Sequence, residues 1–190
     1  MEIFWHGNSS VTIKTKNATF GLNPKTIEGY DLVVFSHKQG KLKLGENQFV
    51  IDSPGEYEAK SIMVYSIYDQ EKQSHGWQIK IEDLMMYFTD DLNFLPTKEQ
   101  LDNLGTVDLA FFPAAINKED EKKLQKQVET IDPRIIIPIA NSEEVGAQVC
   151  LDLARALGLK CNELLKSYKI KSRQQLPEEE QLYIALEKTA

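Results

Sequence analysis

An α+β architecture, layered in the α/β manner, follows from three features of the sequence. The N-terminal half breaks into short segments rich in β-branched and aromatic residues, with turn chemistry between them. The C-terminal half alternates continuous apolar runs with segments of helical periodicity. No linker, repeat or low-complexity tract interrupts this order, so residues 1–190 are expected to form one domain.

Strands are expected at Ile3–Trp5, Val11–Lys14, Ala18–Leu22, Leu32–Phe35, Phe49–Ile51, Ile62–Ile67, Trp77–Ile81 and Met85–Phe88. Val11, Ile13 and Thr15 alternate with Thr12, Lys14 and Lys16, the period-two pattern of a sheet with one buried face. Lys16-Asn17, Asp52-Ser53-Pro54-Gly55 and the polar stretch Asp69–Gly76 read as turns or loops. Leu109–Phe112 and Ile135–Ile139 are apolar throughout, as strands covered on both faces should be. Thr97 and Gln100 form a capping box ahead of Leu101 and Leu104, with Gly105 placed to end that helix. Asn117 can cap a second helix whose apolar stripe is Leu124, Val128 and Ile131. Ser142 can cap a third, with Val145, Val149, Leu153 and Leu157 on one face and Gly158 at its end. A last strand, Leu182–Leu186, follows the acidic turn Pro177–Glu180.

Charge and composition exclude several function classes. Lys and Arg number 22 against 29 Asp and Glu, a net charge of −7, and no long basic run exists, which argues against a nucleic-acid partner. No apolar stretch approaches the roughly 20 residues that span a bilayer, so no membrane partner is expected. The opening Met1-Glu2-Ile3-Phe4-Trp5-His6 lacks the basic and apolar regions of a secretion signal, and the expected compartment is the cytoplasm. Cys150 and Cys161 are too few for a disulfide framework, and neither has a His or Cys neighbour at metal-ligand spacing. Cys150 reads as a buried apolar residue. No Gly-rich phosphate loop and no G-x-S-x-G elbow is present.

Six segments carry a resemblance. They are Ile3-Phe4-Trp5-His6-Gly7-Asn8-Ser9-Ser10, Phe20-Gly21-Leu22-Asn23-Pro24, Leu32-Val33-Val34-Phe35-Ser36-His37, Asp52-Ser53-Pro54-Gly55-Glu56-Tyr57-Glu58, Tyr87-Phe88-Thr89-Asp90 and Ile135-Ile136-Ile137-Pro138-Ile139-Ala140. In order and spacing the chain resembles the metallo-β-lactamase superfamily. More narrowly, it is similar to a small bacterial branch of zinc-dependent hydrolases related to L-ascorbate-6-phosphate lactonase. The most specific match is Pro54-Gly55-Glu56-Tyr57-Glu58, against that branch's G-P-G-E-Y-E. The resemblance implies a four-layer αβ/βα sandwich, a zinc cofactor, hydrolase activity and a homo-oligomer.

The departures bear on the chemistry. Where the family's metal motif reads S-H-x-H-x-D-H, this chain keeps His37 but has Gln39, Lys41 and Leu42 at the later positions. Asn8 stands in place of the opening His, Asn23 in place of the Asp of D-P, and Ala140 in place of the last His. Only His37 and Asp90 remain where ligands are expected. A catalytic zinc takes three protein ligands and keeps one position for the water it activates. The sequence therefore argues against a zinc centre of the family type. Lys41, an ammonium in the space of a lost carboxylate, is expected to pair with Asp90 in the cation's stead.

The remaining candidates read mainly as structure. His37 is expected to be a hydrogen-bonded histidine at a strand end rather than a ligand or base. His6 and His75 lie outside ligand spacing, and His75 falls in a Ser-His-Gly turn. Asp90 and Asp91 fit turn chemistry at a strand end, Tyr57 packs between outward Glu56 and Glu58, and Lys118–Lys126 is a solvated helix face.

Three functions fit this reading. The favoured one is a metal-free descendant that keeps the scaffold and acts through binding or self-association. The second is a hydrolase of a small ester, lactone or phosphorylated metabolite, with a rearranged site on His37 and Asp90. The third is a sensor whose emptied pocket, lined by Asn8, Asn23, Gln39 and Lys41, takes a small polar or anionic ligand.

Overall fold

A computed structural model describes residues 1–40, 42–69, 74–114, 117–139, 147–161 and 163–189. In chain order the strands are β1 (Glu2–Trp5), β2 (Val11–Lys14), β3 (Thr19–Leu22), β4 (Leu32–Val34), β5 (Phe49–Ile51), β6 (Glu56–Ala59), β7 (Ile62–Asp69), β8 (Ser74–Ile81) and β9 (Leu84–Phe88). Then come α1 (Lys98–Leu104), β10 (Leu109–Pro113), α2 (Lys118–Ile131), β11 (Ile135–Ile139) and α3 (Ala147–Ala156). Short strands β12 (Leu164–Leu165), β13 (Tyr168–Lys169), β14 (Leu182–Tyr183) and β15 (Ala185–Leu186) follow.

Two mixed sheets carry the fold. The first runs β13-β1-β2-β3-β4-β5, antiparallel as far as β3 and parallel from there. The second runs β14-β11-β10-β9-β8-β7-β6, parallel among β9, β10, β11 and β14 and antiparallel beyond. Parallel neighbours need a crossover, and α1 and α2 lie in the two that link β9 to β10 and β10 to β11. Every residue of β10 and β11 is buried, as their unbroken apolar runs require. Leu124, Val128 and Ile131 of α2 are buried as the predicted stripe. One apolar cluster takes in residues of both sheets, among them Ile3, Trp5, Ile13 and Phe20 from the first and Trp77, Ile79, Phe88 and Phe111 from the second.

The caps form as the sequence predicts. Gln100 N–H donates to Thr97 Oγ1 at 3.3 Å, and Thr97 N–H donates to Gln100 Oε1 at 2.8 Å. Asn117 Oδ1 accepts from Glu119 N at 2.9 Å and Asp120 N at 3.0 Å. The Ser142 cap lies outside the described residues. No described helix is long and apolar enough to cross a membrane.

Four expectations are corrected. The polar stretch Asp69–Gly76 is not all loop, because β7 runs through Asp69 and β8 begins at Ser74. Glu56–Ala59, absent from the expected strands, forms β6, with Tyr57 half-buried between exposed Glu56 and Glu58 as expected. Leu182–Leu186 is two strands rather than one: β14 pairs with β11, while β15 leaves that sheet to pair with β12. Thr12 does not face solvent with Lys14; its hydroxyl is buried between His6 Nε2 at 2.8 Å and Tyr30 Oη at 2.6 Å.

Candidate functional site

The carboxyl ends of β3, β4 and β9 and the turn between β1 and β2 bring the polar side chains together, the end of such a sheet where ligands are usually held. Asn23 follows β3 with a left-handed backbone (φ 43°), which Asn tolerates better than most residues. Its backbone N–H donates to Val34 O at 2.8 Å, and its Oδ1 accepts from Ser36 N at 2.8 Å. Its Nδ2 faces three oxygens: Ser36 Oγ at 2.9 Å, Ser9 Oγ at 3.0 Å and Asp90 Oδ2 at 3.1 Å. Two amide hydrogens thus serve three acceptors. Asp90 follows β9 in the other sheet, so one side chain ties the two sheets together at this end.

His75 enters from β8. Trp77 is registered opposite Phe88, and two residues back along β8 and on from β9 the same face carries His75 and Asp90. The His75 ring meets Trp77 edge to face at 4.9 Å and lies 6.2 Å from Tyr68. Burial holds its pKa below the usual histidine value; the Asp90 charge opposes that shift, and His37 adds to it. The unfolded chain therefore takes up this proton at a higher pH than the folded one. Stability from this group is lost as pH falls from the unfolded value near 6.5 through the folded one. His75→Gln is expected to flatten the fall in melting temperature between about pH 7.5 and pH 5.5; an unchanged slope would assign that fall to other groups.

The other expected residues divide. Asn8 lies in the β1–β2 turn at φ 49°, its carbonyl accepting from Trp5 Nε1 at 2.7 Å. Among the described residues, Asn8 Oδ1 and His75 Nε2 are buried without a hydrogen-bond partner. A buried polar atom left in that state costs about 1–3 kcal/mol. Gln39 spends its amide on His37 O at 2.8 Å, and its own N–H goes to Asp52 Oδ2 at 3.0 Å. His37 is exposed. The hydrogen bond expected of its ring is not found among the described residues. Lys41 and Ala140 lie outside the described residues, and with Lys41 its expected pairing to Asp90. Asp91 does turn work, accepting from Asn93 N at 2.8 Å, and buried Gln127 anchors that turn through Asp91 O and Phe94 O, both at 2.7 Å.

Sequence reasoning missed Ser9, Ser36 and His75 as parts of this junction. For His75 a signal existed: His75, Trp77, Ile79 and Ile81 alternate at period two, a strand pattern that runs straight through the supposed turn. Among the described residues, no three His, Cys, Asp or Glu side chains gather closely enough to hold a metal ion. Cys150 is buried as expected, and burial pushes its thiol up to about 12.

Residues 2–140 match the family model described as a beta-lactamase superfamily domain. A search of curated proteins found no match. Among solved structures, the chain is similar to a proposed zinc-dependent hydrolase of the metallo-beta-lactamase superfamily from Thermotoga maritima. The TM-score is 0.75 at 16% identity, covering 98% of this chain and 99% of that one. It is also similar to Igni18, a metallo hydrolase from Ignicoccus hospitalis, with a TM-score of 0.55 at 11% identity over 90% of this chain and 99% of the other. A third likeness is to YhfI, a metallo-beta-lactamase fold protein from Bacillus subtilis, with a TM-score of 0.57 at 7% identity over 83% and 94%. The two mixed sheets and few helices are those of the metallo-beta-lactamase sandwich.

Proposed function

Because this chain belongs to the beta-lactamase superfamily, we propose that it is a member of the branch related to L-ascorbate-6-phosphate lactonase that has lost its metal centre and its hydrolase activity. It then acts through binding or self-association on the retained scaffold. The observation that carries this reading is the Asn23 amide donating to Asp90 Oδ2 at 3.1 Å. The Asn23 amide nitrogen there has no lone pair to offer a metal, and Asn23 Oδ1, the atom that could ligate one, already accepts from Ser36 N at 2.8 Å. The other family-type ligand, His37, is exposed. These side chains do not fit a zinc centre, which needs three protein donors around one point. Self-association, with a second copy of this chain, is supported by exposed Leu42, Leu44 and Phe49, which lie in and just before edge strand β5.

Metal analysis of protein purified without chelator is expected to find substoichiometric zinc, manganese and iron, and EDTA is expected to leave the melting temperature unchanged. Asn23→Asp then sets a second carboxylate against Asp90. It is expected to cost about 2–3 kcal/mol at pH 7 and to recover part of that as the pH falls and the pair shares a proton. A stoichiometric metal whose removal lowers stability would overturn the metal-free reading in favour of a rearranged hydrolase.

A further inference from the structure

We propose that a depression at the end of the first sheet away from Asp90 binds a small polyphosphorylated ligand, whose phosphate groups are taken by Lys14, Lys16, Lys169 and Lys171. It goes beyond the reading above and does not depend on whether a metal binds at the Asp90 junction.

Strand register assembles the four ammonium groups. β1 lies between β13 and β2, and both Lys169 and Lys14 are registered opposite Glu2, so the three side chains form one row on the outer face of the sheet. Ile3 and Ile13, at the alternate positions, face the core. Neighbouring strands lie about 4.8 Å apart, which sets the backbones of Lys169 and Lys14 roughly 10 Å from each other. Lys171 and Lys16 come two residues further along, and with the first pair they line a depression of about 590 Å³. Clefts that hold small molecules measure about 300–1,000 Å³. Flexible four-carbon stems let ammonium groups at this spacing close on one compact anion.

These charges are largely unneutralised. Glu2 Oε1 accepts from Ser167 Oγ at 2.6 Å and pairs with Lys169 Nζ at 3.5 Å. Lys14 Nζ rests 5.2 Å from the centroid of the Phe4 ring. Among the described residues, Lys14, Lys16 and Lys171 form no ion pair, and neither does Glu82, the other acid that lines the depression. Four lysines against two glutamates leave a local excess of positive charge in a chain whose net charge is −7. That contrast selects the ligand. An extended polyanion laid on the molecule meets the acidic remainder of its surface, whereas a compact one touches only the lysines. Lysine ammoniums act on phosphate oxygens as point charges, and two or more linked phosphates engage lysines on both sides of β1 better than one.

The test is isothermal titration calorimetry on the full chain with inorganic pyrophosphate and tripolyphosphate. Orthophosphate and sulfate at matched ionic strength are the controls. Binding is expected to be saturable, to strengthen from orthophosphate to tripolyphosphate and to weaken with added salt. Lys16→Gln and Lys171→Gln should each weaken tripolyphosphate binding about fivefold, and together abolish it. Glu82→Gln, which removes a like charge, should tighten it about twofold. Lys122→Gln, on α2, removes the same charge elsewhere and should change nothing. All four positions are exposed, and the melting temperature checks that each variant folds. Equal weakening by Lys122→Gln, affinity untouched by the Lys16 and Lys171 changes, equal affinity for orthophosphate, or no saturable binding overturns the proposal. An RNA oligonucleotide or anionic-lipid vesicles held more tightly than tripolyphosphate, and released in the same variants, would overturn the small-ligand assignment.

Discussion

Arg173→Met is expected to lower stability by about 3 kcal/mol, more than removal of the acid it faces. Asp108, just ahead of β10, is fully buried, with Oδ2 accepting from Met85 N at 2.9 Å. Its Oδ1 receives Arg173 Nε at 3.1 Å and has Arg134 Nε only at 3.9 Å. The arginine side chains remain 44% and 31% exposed. The carboxylate is thus cut off from water while its partners are not. Removing Arg173 strands a buried charge with one distant guanidinium, whereas Met keeps much of the aliphatic packing. Asp108→Asn still offers an oxygen to Met85 N and releases two cations that water can solvate, so it is expected to cost only about 1–2 kcal/mol. Urea unfolding of the two variants checks the order; a costlier Asp108→Asn would mean that shape rather than charge holds this corner.

Gly76→Ala is expected to destabilise by about 2–3 kcal/mol although it adds a single methyl group. A Cβ at Gly76 would lie 2.9 Å from Phe94 Cε1, Tyr87 Cε2 and Tyr87 Oη. Both aromatic side chains are fully buried, so neither can swing into solvent to make room. Gly76 also sits between His75 and Trp77, and the strain should reach the Asp90 junction. Phe94→Leu, which shortens one obstructing ring, is expected to offset part of the loss, making the double variant more stable than the sum of the single changes. Additive losses in thermal unfolding would place the strain elsewhere.

Local chemistry was legible in the sequence, and long-range register was not. Thr97 with Gln100, Asn117 and the all-apolar runs Leu109–Phe112 and Ile135–Ile139 announce their structures because each depends on neighbours a few residues away. Glu56–Ala59 misleads because Pro54-Gly55 just before it is a strong turn signal, and its strand character comes only from pairing with Ile62–Tyr65. His75 misleads for a related reason: polar flanks mark a turn, but the register Tyr68↔His75 extends the hairpin past them. Asn8, Asn23 and Asp90 were identified from aligned segments. That Asn23 spends its amide on Asp90 could not be read there, since it depends on how the ends of two sheets meet. Ser9 and Ser36 lie within the resembling segments but were not singled out there, and their part in the junction comes from proximity to Asn23.

The path of residues 182–189 bears on how fast the molecule can assemble. Leu182–Tyr183 pairs with β11, Ala185–Leu186 with β12, and Thr189 N–H donates to Trp5 O at 2.8 Å across almost the whole length of the polypeptide. Met1 likewise reaches Ile170, with its amino group 2.9 Å from that carbonyl. Bringing such remote partners together costs loop-closure entropy before any contact repays it. Contacts of this sequence separation, β1 with β13 and Trp5 with Lys188, place the topology among those expected to fold slowly even though its helices are locally well specified.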